Sequence, residues 1–166
     1  MAVGTDLMKQ AASELWAEAV ARDALFSGTL QQGPSAGNLS ELQIKNPAGS
    51  GKMIWIAHLS VNSGGGTLAR IGRHDTVLGT DVTTFGTMAL GSGKSSVADL
   101  NRGVAAAGVF ASGGYIREID VDPAKDTDAF PRGFAFRLPP GVGLLIEASV
   151  VNIGLGANLI WAELDA

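Results

Sequence analysis

Apolar residues follow two rhythms along this chain. From residue 6 to about 26 they recur at alternating steps of four and three. The stripe runs Met8, Ala12, Leu15, Ala19 and Phe26, with Arg22 interrupting it and Trp16 and Val20 widening it. That period predicts an amphipathic helix. Thr5 or Asp6 can cap its start, and no Gly or Pro breaks its interior until Gly28. Glu18 and Arg22 stand one turn apart and can pair. The helix has a face to bury, either on its own domain or against a neighbouring subunit, where Ala12 and Ala19 permit close approach. Gly28, Gly33, Pro34, Ser35, Gly37 and Asn38 then end the pattern, and Gly28–Ser40 reads as a linker.

From Glu41 the period shortens to two. Candidate strands are Leu42–Lys45, Lys52–Asn62, Thr67–Arg73, Thr76–Leu78, Val104–Ala111, Tyr115–Val121, Gly133–Leu138, Gly143–Val151 and Asn158–Glu163. Gly-, Pro- and Asn-rich turns separate them. This predicts a mainly β chain: an antiparallel, jelly-roll-like β-sandwich at 41–166, preceded by an N-terminal helical arm and linker at 1–40. Strand–helix–strand alternation is missing, which argues against a parallel sheet. Phe134, Phe136 and Leu138 share one face, opposite Ala135 and Arg137, as in a sheet with one wet side. Met53 and Trp55 oppose Ile54 and Ile56, and Leu159 and Trp161 oppose Ile160, Ala162 and Leu164. A sandwich buries only one face of each strand, so the surplus needs a third layer, the helix or a neighbour. Residues 83–103 are the least regular stretch, long enough to suggest a functional or partner-ordered insertion.

Composition sharpens this picture. Charged residues make up 17% of the chain, which has 23 glycines and a net charge of −4. The charge fraction is below the roughly 25% usual for soluble domains, as expected of a chain that buries surface against other subunits. An acidic chain without a basic block is a poor partner for nucleic acid. The longest small-apolar stretch, Val104–Ala111, is too short to span a bilayer, and no secretion signal is evident, so synthesis in a cytoplasm is expected. With no cysteine, disulfides, thiolate metal sites and thiol nucleophiles are excluded.

Candidate chemistry is sparse. Gly93-Lys94-Ser95 ends like a phosphate-binding loop, but Met88 stands where its first glycine belongs. Gly51-Lys52 is followed by Met53 and has Asn46 at that glycine position. His58 and His74 are the only histidines, in no zinc-protease spacing. Glu118, Asp120, Asp122, Asp126 and Asp128 crowd one loop region at 118–128, fitting either a solvated loop or a calcium site without EF-hand spacing. No G-x-S-x-G or S-x-x-K is present. No catalytic residue and no cofactor is expected.

Asn46-Pro47-Ala48-Gly49-Ser50-Gly51-Lys52, Leu138-Pro139-Pro140-Gly141-Val142-Gly143-Leu144-Leu145 and Asn158-Leu159-Ile160-Trp161-Ala162-Glu163 form a series over residues 41–166. This series resembles small β-sandwich virion structural proteins of tailed bacteriophages and prophages. The resemblance implies that the first turn enters a long strand and the second links two late strands, and it brings no catalytic residues. It implies a location in the virion, foremost as a capsid decoration (cement) protein contacting the major capsid protein or other virion proteins. The alternative is a tail-fibre or head-spike component acting in host attachment, and a virion-associated glycan hydrolase ranks third. The surplus apolar faces predict a homo-oligomer, the resemblance makes it a trimer, and no nucleic-acid or membrane partner is expected. Met8, Leu15, Trp16, Ala19, Met53, Trp55 and Trp161 are the expected interface residues.

Overall fold

A computed structural model describes residues 13–78, 88–89, 95–123, 125–130 and 136–166. The described chain is mainly β, in two antiparallel sheets, with one short helix, α1, at residues 13–21. Its strands are β1 (Leu25–Gln32), β2 (Leu39–Lys45), β3 (Lys52–Ser63), β4 (Thr67–Arg73), β5 (Met88–Ala89), β6 (Asp99–Ala105), β7 (Arg117–Val121), β8 (Thr127–Asp128), β9 (Phe136–Leu138), β10 (Gly143–Ala148) and β11 (Leu155–Asp165). Sheet A has the order β5-β1-β11-β3-β8, with β9 also paired to β3; sheet B has the order β6-β2-β10-β4-β7.

The sheets face each other across one apolar layer, as in a β-sandwich. Sheet A contributes Phe26, Leu30, Ile54, Ile56, Leu59, Val61, Leu159 and Trp161; sheet B contributes Leu42, Ile44, Ile71, Leu100, Leu144 and Ile146. The inward positions on β3 change parity between Ile56 and Leu59. The β3–β11 register accounts for this: Trp161 pairs with Ile56 and Ile160 with His58, leaving Ala57 as the extra residue of a β-bulge.

Several expectations need correction. The helix ends at residue 21, five residues short of Phe26. The Asp23 and Ala24 amides donate to the carbonyls of Val20 (3.1 Å) and Ala19 (2.8 Å), and Asp23 has φ 51°. That is a Schellman-type stop, with Asp at the position glycine usually occupies. Phe26 therefore belongs to a strand. The linker reading of Gly28–Ser40 also fails over most of its length. Gly28–Gln32 belongs to β1, which pairs along its whole length with β11, and Leu39 opens β2. Gly28 is small for packing reasons, since a Cβ there would come within 2.8 Å of Leu100 and 3.1 Å of the Trp161 ring. Residues 25–32 and 39–40 are thus part of the sandwich, and only the bend between them is loop. Thr76–Leu78 and residues 106–111 are not strands; they cross the outer face of sheet B. Much of the irregular stretch 83–103, including Gly93-Lys94, lies outside the described residues.

The turns quoted for the resemblance meet at one end. Asn46 is buried, and its side-chain amide donates to the carbonyls of Lys52 and Leu138, both at 2.8 Å. The Asn46 amide donates to Val142 O and the Gly141 amide to Asn46 O. Pro139-Pro140-Gly141-Val142 closes with Val142 N to Pro139 O at 3.1 Å, with Gly141 at φ 87°, as a type II turn requires. The first turn does enter the long strand β3, and the second joins β9 to β10.

Candidate functional site

The outer face of sheet A carries most of the expected interface residues. Ala19, Ala24, Ala162 and Leu164 form a buried cluster against which Leu15, Trp16, Leu25 and Trp55 pack. Helix α1 thus covers the surplus apolar face from within the same chain. Ala19 and Ala162 are fully buried, small residues that let a helix lie close on a sheet. Met53 is also buried, with Arg137 Nε 3.1 Å from its sulfur and the Arg137 guanidinium 5.8 Å from the Trp55 ring centre. Beside them runs a groove of about 540 Å³ lined by Leu15, Glu18, Arg22, Met53, Trp55 and Arg137. Met8 lies outside the described residues.

Trp161 is not on that face. It has 0% exposure and stacks on Phe26 in the layer between the sheets, with ring centres 6.1 Å apart. Its indole N–H donates to Glu163 at 2.9 Å. The expectation of Trp161 as an interface residue is corrected by the pleat: β11 turns Trp161 inward and Ala162 outward. Glu163 is buried as well. It accepts from the Val97 amide (3.0 Å), the Ala98 amide (3.3 Å) and the Ser96 hydroxyl, tying the start of β6 to β11.

The acidic loop region does not converge. Asp126 accepts from Asn62 Nδ2 at 2.7 Å and Asn158 Nδ2 at 3.2 Å, Glu118 pairs with Arg70 at 2.9 Å, and Asp122 with Lys125 at 3.3 Å. Among the described residues no three His, Cys, Asp or Glu side chains are grouped to hold a metal. None of the helices described is long and apolar enough to cross a membrane.

Sheet B hides a polar outer face. Glu41, Gln43, Asn101 and Glu147 are all buried there. Gln43 donates to the carbonyls of His74 (2.8 Å) and Thr76 (2.9 Å), while its oxygen accepts from Leu78 N (3.2 Å) and Asn101 Nδ2 (3.3 Å). One covering segment, 74–78, is thereby sewn to the sheet. The second, 106–116, is held by Glu147, which accepts from the amides of Val109 at 2.5 Å and Phe110 at 3.3 Å. Leu78, Phe110 and Leu145 make a small apolar plug between the two. Gly108 admits the approach, since a Cβ there would stand 2.5 Å from a Glu147 oxygen.

Burial, with Glu147 adding repulsion, pushes the Glu41 carboxyl up to about 7. Burial also raises Glu147, partly offset by the Val109 and Phe110 amides, Arg70 and His74. At the surface the Arg73 hydrogen bond holds Asp75 low, and Lys52, 2.5 Å away, does the same for Asp165.

This polar group was not among the expected site residues. Glu41, Gln43 and Lys45 alternate with Leu42 and Ile44, which reads as a wet face. The signal against that reading is Leu144-Leu145-Ile146, an unbroken apolar run requiring cover on both faces of β10. No family model, curated protein or solved structure matches the chain.

Proposed function

We propose that this chain is a bacteriophage virion structural protein with a jelly-roll sandwich, acting as a capsid decoration protein through protein–protein contacts. The strand order supports the jelly roll. β1, β11, β3 and β9 adjoin in one sheet and β2, β10, β4 and β7 in the other. Strands β1 to β4 therefore alternate between sheets, and the late pair β10 and β11 inserts between early ones, as in two interlocked Greek keys. β5, β6 and β8 are additions at the edges.

A binding role rather than a catalytic one is supported by how two of the three buried acids among the described residues are used. Glu147 and Glu163 spend their oxygens on backbone amides. The observation that carries the reading is an apolar surface on the cover of sheet B. Val109, Tyr115 and Ile116 are 41%, 38% and 57% exposed, in a segment anchored by Glu147 and by Ile116 N to Ile71 O at 2.8 Å. Exposed apolar side chains on a segment hydrogen-bonded to the sheet suit an interface. In this reading they meet the shell or neighbouring copies in a homotrimer, the number three following from the resemblance.

Quantitative mass spectrometry of purified particles tests it. A copy number that scales with the capsid shell supports decoration, a copy number matching a tail or spike supports attachment, and absence from the particle overturns both. Ile116→Asp is expected to abolish assembly while leaving the melting temperature within a few degrees; a 17.0 kDa monomer for the unmutated protein by sedimentation removes the trimer.

A further inference from the structure

We propose that Glu41 and Glu147 share one proton and form a pH-sensitive latch, which holds the 106–110 segment on sheet B and loosens as the pH rises past neutrality. The two residues are directly paired across β2 and β10, which places their Cβ atoms about 4.5–5.5 Å apart. Both are buried, Glu41 at 4% and Glu147 at 0% exposure. Two carboxylates so close, out of water, do not both stay ionised.

The partners point the same way. Glu147 is committed to the Val109 and Phe110 amides, interactions that favour its ionised form. Glu41 Oε1 is buried with no hydrogen-bond partner among the described residues, and Asn101 Oδ1, on the adjacent strand and the same face, is in the same state. Both are acceptors lacking a donor. A proton on Glu41 supplies one and leaves the paired carboxyls with a single charge between them.

The other charged or titratable groups on this outer face, among the described residues, leave Glu41 without a counter-charge. Arg70 on β4 stands beside Glu147 and is bonded to Glu118 of β7. Lys45 on β2 donates to Asp75 O, the Asp75 carboxylate is paired with Arg73, Asp120 of β7 lies beyond β4, and His74 acts on Glu147. Asp99 of β6 pairs in register with Lys45. The 106–110 segment itself carries no titratable side chain.

The sign follows from where the proton is held. Glu41 in the folded chain titrates at about 7, against 4.5 when unperturbed. Between those values the folded state binds a proton that the unfolded state has released, so stability declines as pH rises through the window and levels off above it. Below about 4.5 both states are protonated and this group adds no slope.

Carbon-13 NMR of the side-chain carboxyls tests the pairing on the unaltered protein. One Glu carboxyl is expected to titrate near neutrality, and Glu41→Gln to remove it. If every Glu titrates below about 5.5, within the ordinary range, the proposal is overturned. The latch is read by hydrogen exchange at Val109 and Phe110, corrected for the chemical pH dependence of exchange. Protection is expected to fall by up to about two orders of magnitude from pH 5 to pH 8 and to stay constant in Glu41→Gln. Unchanged protection in the wild type overturns the latch. So does a rise in protection at pH 8 on adding calcium that Glu41→Gln abolishes, since the pair would then be holding a metal ion.

Discussion

The two sheets of this sandwich cover their outer faces in opposite ways. Sheet A uses a helix and an apolar contact: Leu15, Trp16 and Ala19 over Trp55, Ala162 and Leu164. Sheet B uses two irregular segments fastened by Gln43 and Glu147. The first contact is non-directional and tolerates sliding, because its strength follows the area removed from water. The second tolerates little, because each buried donor or acceptor left alone costs about 1–3 kcal/mol. An apolar cover can be thinned gradually, whereas a polar one fails bond by bond.

The largest test of this contrast is truncation. Removing residues 1–21 strips the helix and exposes Met53 and Trp55, yet leaves both sheets whole. The expected product melts cooperatively at a lower temperature and binds a hydrophobic dye. Removing residues 1–40 also deletes β1 and the start of β2, and is expected to leave no cooperative transition in calorimetry. If both truncations fold alike, β1 is not the integral strand its pairing with β11 implies.

Next is the pair of tryptophans. Trp161→Ala empties the centre of the core and is expected to cost about 3–5 kcal/mol, whereas Trp55→Ala, on the helix-covered face, should cost about 1–2 kcal/mol. Denaturant titration separates them, and acrylamide should quench Trp55 well before Trp161. Equal losses would mean that the outer face of sheet A is packed as tightly as the core.

A smaller effect compares the two covers directly. Gln43→Ala strands two carbonyls, the Leu78 amide and the Asn101 amide group, and should cost about 2–3 kcal/mol. Leu15→Ala removes part of a half-buried aliphatic chain and should cost about 1 kcal/mol. A reversal of that order in urea melts would show that water readily replaces Gln43, making the polar cover the looser of the two.

Much of the architecture was legible in the residues. Period-two stretches located β2, β3, β4 and β10, and the double apolar face at Met53–Ile56 correctly demanded a third layer. The helix boundary was not legible, because its stop is an Asp in a left-handed conformation where glycine is the usual sign. β1 was missed because Gly28, which clears space for Trp161, looks the same in sequence as a glycine that frees a linker. The inward turn of Trp161 depends on which face of β11 meets sheet B, and both faces of that strand are apolar. The buried polar set was hidden for a similar reason: alternation reports which residues point away from the core, but not whether a distant segment lies over them.

The β1–β11 pairing also bears on how the protein is made. Leu25 aligns with Ala162 and Gln32 with Leu155, so one of the two central ladders of sheet A joins β1 to a strand more than a hundred residues away. While the chain is being synthesised, β1 and β3 wait with open edges for a strand that has yet to leave the ribosome. Sheet A closes only after β11 emerges, and long-range pairing of this kind is slow. In that interval two apolar strand edges are free to pair with other nascent chains, and helix α1 gains its full seat only when β11 delivers Ala162 and Leu164.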